Sequence, residues 1–402
     1  MKDLIGKGQR FWQRMRRRIE HAWQTMHAQR HYYTSLASYV SECPDKAEIL
    51  SRRVEELVHT IGENTNELHR GEKIEVVKAR ISHASCFVYS DIIMLEDGRC
   101  IYLMKDLDFL RPIADFTDEI LLKDTDHWCK LRTCKKVEHI SRAIKIGGMF
   151  GFNYYHFMFQ LLPKMFEIDD IDPSVPLLLD KKAEDVPSMK QLLEWCNTAH
   201  REVIYMDYGM RYEVDELYVV NSPNVCIPNL KAEHVFYEPK ALFSQTSLKQ
   251  LRETLMKHMD TESVFPDKIY VCRKQATKLR GYNEDELLAV AQRYGYEAVY
   301  PETLNVSQQM ALFHQAKHIL APEGAALSNL VYASEGSSLI IMYCMRGISS
   351  EFVPIAMTNG MTVHELWDTP KSKRDTSYQR KYYIEPEKLE KVLKEYDKNN
   401  SK

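Results

Sequence analysis

At 402 residues the chain exceeds the roughly 100–200 residues of one compact domain, so two domains are expected. A net charge of −3 gives no global pull toward nucleic acid, and 44% hydrophobic residues is ordinary for a globular protein. The nine cysteines form no CxxC pair and no zinc spacing, which predicts free thiols in a reducing, cytoplasmic compartment and leaves the Asn305-Val306-Ser307 sequon without weight. No apolar run approaches the roughly 18 residues of a membrane span.

Along the chain, the first element is basic. Lys2, Lys7, Arg10, Arg14, Arg16, Arg17 and Arg18 interleave with Phe11, Trp12, Met15, Ile19, Trp23 and Met26 at helical spacing. Such a helix over residues 1–27 suits an anionic membrane surface, or the body of the protein itself. Residues 31–70 read as helical and polar, with Leu50, Val54, Leu57 and Ile61 as a stripe. Residues 73–147 alternate like short strands, and Asp97-Gly98 marks a tight turn. A glycine-rich stretch, Gly147-Gly148-Met149-Phe150-Gly151, then approaches a helix running to about Ile168. A buried strand at Pro176–Asp180, a helix near 186–198 and strands at 202–205 and 216–220 follow, and then a long amphipathic helix over 234–259.

Beyond residue 267 strands and helices alternate cleanly. Strands are predicted at 268–273, 296–300, 317–321 and 338–343, and helices at 283–294, 307–316 and 325–333. Asn283 with Glu286 reads as a capping box. This alternation calls for a parallel sheet wound on both faces, with ligands outside the carboxyl ends of its strands. Arg273 ends the first strand, Arg280 lies in the loop after it, and Glu323-Gly324-Ala325-Ala326 opens a helix. Arginine forks and helix-terminal N–H groups suit a phosphate; an isolated arginine at a strand end more commonly forms a surface ion pair, and Glu323 satisfies a helix dipole by itself. No GxxxxGK[ST] and no GxGxxG is present, which argues against a P-loop and a nicotinamide site.

The string Ile269-Tyr-Val-Cys-Arg273, Arg280, Asn283-Glu284, Glu302, Gln309 and Ala321-Pro-Glu-Gly-Ala-Ala-Leu-Ser-Asn329 resembles the signature of glycosyltransferase family 61. Asn153-Tyr-Tyr-His156-Phe-Met-Phe-Gln-Leu-Leu-Pro163-Lys164 resembles its second motif, so the resemblance spans about residues 140–345. It implies an α/β GT-B architecture, two Rossmann-like domains facing a cleft. The corresponding division is a basic helix over 1–30, an acceptor-side domain over 31–240, a nucleotide-sugar-binding domain over 241–382 and a C-terminal helix over 383–402. It also implies an inverting, metal-independent transfer with a UDP-sugar as donor and no cofactor. Asp106-Leu107-Asp108 has metal-motif spacing but lies far from the donor motifs. Two departures stand out: Glu323 replaces a common histidine, and Gln160 replaces an acid that would be an obvious base.

Inversion needs a general base for the acceptor hydroxyl and positive charge or dipoles on the leaving diphosphate. His156 is the preferred base, with Glu284 and Glu323 as rivals. Asn153, Arg273, Arg280, Asn283, Gly324, Ala325, Ala326, Ser328 and Asn329 are the expected substrate-binding positions. The resemblance points to a bacterial-type enzyme adding sugar to a capsule, lipopolysaccharide or lipid-linked precursor on the inner face of the cytoplasmic membrane. A non-catalytic nucleotide-sugar-binding scaffold is the alternative.

Overall fold

The computed structural model describes residues 22–61, 67–134, 136–227, 229–235, 237–273, 281–344, 350–368 and 381–400. Arg280 and residues 1–21 of the basic helix lie outside them. The structure is mixed α/β, with three sheets.

The first half supplies β1 (Arg30–Tyr32), β2 (Ala47–His59), β3 (His69–Cys86), β4 (Ile92–Met94), β5 (Cys100–Tyr102), β6 (Leu121–Asp124), β7 (Trp128–Leu131) and β8 (Lys136–Lys145). It continues with β9 (Leu177–Asp180), β10 (Val203–Met206), β11 (Met210–Val220), β12 (Val225–Cys226) and β13 (Ala241–Ser244). Strands β1, β7 and β6 make a small sheet. The main sheet runs β10-β9-β8-β11-β3-β2-β13-β12, with the β4–β5 hairpin attached to β3. Its β10-β9-β8-β11 part is parallel and the remainder antiparallel. Gly98 has φ 83°, as the tight turn between β4 and β5 requires.

Two expectations fail here. Residues 47–59 form a strand and not a helix: β2 pairs with β3 over a long register, and Leu50 and Val54 of the supposed apolar stripe are exposed. Cross-strand pairing overrides the local period. The long helix over 234–259 is likewise replaced. Residues 241–244 join β2 through Phe243↔Val58, and the helix Gln245–Leu255 starts from Ser244, whose side chain accepts from Ser247 N–H. Pro239, which carries no N–H, precedes the change.

The second half supplies β14 (Lys268–Val271), β15 (Glu297–Val299), β16 (His318–Pro322), β17 (Ser338–Tyr343) and β18 (Thr362–Trp367), all parallel in the order β15-β14-β16-β17-β18. Ile269, Val271, Ile319, Ala321, Leu339 and Ile341 face the helix Val306–Gln315, while Tyr270, Leu320, Ile340 and Met342 face the helices Glu284–Gln292 and Pro386–Asn400. That two-residue alternation between two covered faces is the doubly wound pattern. The tail helix buries Leu389, Val392 and Leu393. Strand β18 extends the set beyond residue 343, where the sequence reading had closed it.

One apolar core runs without a break from the helical segment 154–167 through β13 to the helix Val306–Gln315, so it joins the main sheet to the parallel one. All nine cysteines are free thiols. Among the described residues, no helix is long and apolar enough to cross a membrane.

Candidate active site

In the parallel sheet the chain goes from β14 outward to β15 and then returns past β14 to β16. The strand order therefore reverses between β14 and β16, and the crevice above their carboxyl ends is the usual ligand position. Arg273 follows β14, and Glu323-Gly324 follows β16, so both border this switch point. The Arg273 guanidinium donates from Nη1 to the Glu323 carbonyl at 3.2 Å. It lies over Gly324, where an added Cβ would stand 3.6 Å from Cζ, an ordinary contact. Gly324 has φ 169°, an extended backbone open to any residue.

The turn after Gly324 is a 3-10 helix, Ala325–Tyr332, with Leu327 N–H donating to Gly324 O at 2.8 Å. The first N–H groups of such a helix have no partner within it and point back along its axis. Ser328 is fully buried with an unpartnered Oγ, and Asn329 braces the turn by donating to Gln309 Oε1 at 3.0 Å and Ala326 O at 3.1 Å.

Glu284 and Asn283 are engaged in holding structure. The Glu284 carboxylate accepts from Arg273 N–H and from Tyr282 Oη, both at 2.8 Å, and so fixes the backbone of the strand exit. Asn283 forms no capping box: its side chain exchanges two hydrogen bonds with the Ile384 backbone, at 2.9 and 3.0 Å, and ties down the tail. The full capping box belongs instead to Asn305 and Gln308.

His156 comes from the main sheet. Its helical segment begins at Asn153, whose side chain accepts from Tyr155 N–H at 2.9 Å. The segment then passes through a π-helical stretch, Phe157–Leu161, into a 3-10 stretch, Leu162–Glu167. π-helical insertions recur at functional sites. The glycine-rich loop ahead of it is strapped down by two aspartates. Asp180, at the end of β9, accepts from Gly148 N–H at 3.1 Å and Tyr89 N–H at 2.8 Å, and Asp91 accepts from Met149 N–H at 3.1 Å. A Cβ on Gly151 would fall 2.1 Å from Asp180 Oδ2, and one on Gly148 would fall 2.4 Å from Asp91 Oδ1. Phe150 has φ 60°, a strained conformation for an aromatic residue, and its ring lies 4.9 Å from that of His156.

The start of the His156 helix packs against the 325–332 turn, and Tyr155 meets Phe352 at 5.3 Å between ring centres. The start of the His156 helix thus meets the turn that follows β16. His156 Nδ1 contacts Gln160 Oε1 at 2.5 Å. With the Gln160 carbonyl facing Nδ1, the tautomer that fits has its proton on Nδ1 and leaves Nε2 as the acceptor. Burial holds the His156 pKa below its ordinary value, opposed by Gln160, Glu351 and Asp91. The neutral imidazole is the form favoured at pH 7.

Sequence reasoning missed three participants. Lys240 Nζ lies 3.6 Å from Glu323 Oε1 and 3.8 Å from Glu351 Oε2, so it bridges the two acids at the switch point. Glu351 Oε2 is buried without a hydrogen-bond partner. Gln160, read as the loss of a base, is the residue that orients one. No local signal marks Lys240 or Glu351, because each meets the site only through the fold. The Asp106-Leu107-Asp108 pair is turned elsewhere: Asp106 accepts from Leu36 N–H at 3.2 Å, and Asp108 lies 3.5 Å from Arg111.

Arg273 and the first amides of the 325–332 turn give the switch point groups that can meet an anion, beside the acids Glu323 and Glu351. Residues 154–340 match the sequence model of the family described as Glycosyltransferase 61. That segment is similar to glycosyltransferase family 61 and marks the chain as a glycosyltransferase. No curated protein matches it.

Proposed function

We propose that this glycosyltransferase is an inverting, metal-independent enzyme of GT-B type that transfers sugar from a nucleotide-sugar, a UDP-sugar, to a surface polysaccharide or lipid-linked glycan. The observation that supports this most is the packing of the helix start that carries His156 against the 325–332 turn, which follows the Glu323 carbonyl bonded by Arg273. In this reading His156 Nε2 takes the proton of the acceptor hydroxyl while its oxygen forms the new bond to the anomeric carbon. The bond from that carbon to the phosphate oxygen breaks on the opposite face, and the diphosphate leaves with the electron pair. Arg273, together with the amides of Gly324, Ala325 and Ala326, offsets its charge. The main sheet forms the acceptor side and the parallel sheet the donor side.

The proposed place of action is the cytoplasmic face of a membrane. In support, Trp23 and Met26, at the end of the basic N-terminal segment, are 60% and 72% exposed. Incubating the purified chain with a panel of radiolabelled nucleotide-sugars and membrane extract tests the proposal. Transfer of label to a glycan or lipid from a UDP-sugar is expected. Stabilisation by a nucleoside diphosphate without any turnover would replace this reading with that of a binding scaffold.

A further inference from the structure

Resting on that reading, a second feature of the His156 helix defines where the acceptor sits. His156, Gln160 and Lys164 follow at four-residue steps. Gln160, already bonded to His156, lines a cavity together with Lys164, Asp91, Met104, Leu161 and Val225. The cavity measures about 40 Å³, room for roughly three waters at ~10–15 Å³ each. That is the scale of one substituent of a sugar.

Its polar lining is unusual. Lys164 is only 7% exposed, and its ammonium makes one hydrogen bond, to Ile146 O at 3.3 Å. No carboxylate among the described residues lies within ion-pair distance of it. An ammonium has three N–H donors, so donor capacity remains, and burial pushes its pKa down to about 8. Asp91, which spends one lone pair on Met149 N–H, supplies an acceptor on the same cavity. Leu161, Met104 and Val225 form an apolar wall, and Asn221, Ser222 and Asn224, which also line the cavity, are engaged with backbone groups. Donor, acceptor and apolar wall together match a hydroxyl on carbon, which gives and takes a hydrogen bond at one atom. A carboxylate substituent would instead meet Asp91 as a like charge.

We infer that this cavity is an acceptor subsite that holds a hydroxymethyl group of the acceptor sugar, with Lys164 and Gln160 donating to its oxygen and Asp91 accepting its proton. Gln160 then links recognition to chemistry, since the same side chain orients the base and borders the substituent.

Ligand-observed saturation-transfer NMR on the full chain tests this. The probes are methyl hexopyranosides of gluco, galacto and manno configuration, each as the hydroxymethyl, 6-deoxy and uronate form. At least one hydroxymethyl form is expected to bind about tenfold more tightly than its 6-deoxy and uronate counterparts. Lys164→Met should erase that preference, and so should Met104→Trp, which fills the cavity from the 3-10 turn Leu103–Asp106 of the lining. Equal binding of 6-deoxy forms, tighter binding of uronates, no binding by any probe, or an unchanged preference in both variants would overturn the subsite. UDP binding by the same proteins reads the donor side separately. Its absence in the wild type, with the glycoside preference intact, would count against the proposed transfer and leave the subsite standing.

Discussion

The contact between Gln160 and His156 makes the most informative perturbation, because it separates orientation of the base from the base itself. Gln160→Leu keeps the volume close and removes the acceptor from Nδ1. A single hydrogen bond is worth about 0.5–1.5 kcal/mol net, or roughly 2- to 13-fold in rate. Loss of the carbonyl also lets the imidazole proton move to Nε2, which idles up to about half of the molecules. The expected fall in kcat is therefore about 5- to 25-fold, below the roughly 10²–10⁴-fold that a general base contributes.

Gln160→Glu perturbs the same atom electrostatically. In the wild type, burial holds the His156 pKa below its ordinary value, so activity should fall only as pH drops through a midpoint below about 6.5. A carboxylate at position 160 favours the imidazolium and raises that pKa, which moves the acidic limb of the kcat/KM profile to higher pH. Glu351 and Asp91, which also face His156, are unchanged in both proteins. Full activity in Gln160→Leu, or an unmoved acidic limb in Gln160→Glu, would refute the assignment of His156 as the titrating base.

Other consequences are readily measured. Arg273→Ala should raise the donor KM about tenfold or more in steady-state transfer, with UDP binding weakened in parallel. Gly151→Ala drives a methyl into the Asp180 carboxylate, and overpacking of this kind costs about 1–3 kcal/mol; a lowered denaturation midpoint and weakened transfer are expected together. Lys164→Met should stabilise the fold near pH 7. Burial pushes the Lys164 pKa down from its ordinary 10.5 to about 8, so burying the charge costs about 3 kcal/mol below pH 8. The cost fades as pH rises from 8 toward 10.5, and the stability gain of the variant in denaturant melts should fade with it.

How much of this was legible depended on how local the signal was. The parallel sheet could be read because its strands are buried on both faces and punctuated by helices, and Arg273 and Gly324 stand at strand exits by sequence alone. Strand β18 escaped notice because Thr362-Val363-His364-Glu365-Leu366-Trp367 is a half-polar edge strand without a continuous apolar run. Strand β2 was misread because its exposed face carries charges such as Arg52, which sits 3.6 Å from Glu75 on the paired strand. Only the partner strand explains that pattern. The straps on the glycine-rich loop were invisible for the same reason: Asp91 and Asp180 lie far along the chain from the N–H groups they hold. Gln160 was misjudged because a departure from an acid reads as a loss until the histidine beside it is seen.

The central claim is that a neutral His156 deprotonates the acceptor in sugar transfer. Single-turnover transfer from the best nucleotide-sugar, compared between wild type and His156→Ala with UDP affinity measured in parallel, tests it most directly. The account predicts a rate loss of about 10²–10⁴-fold with UDP affinity unchanged. Transfer at the wild-type rate in the variant would contradict it.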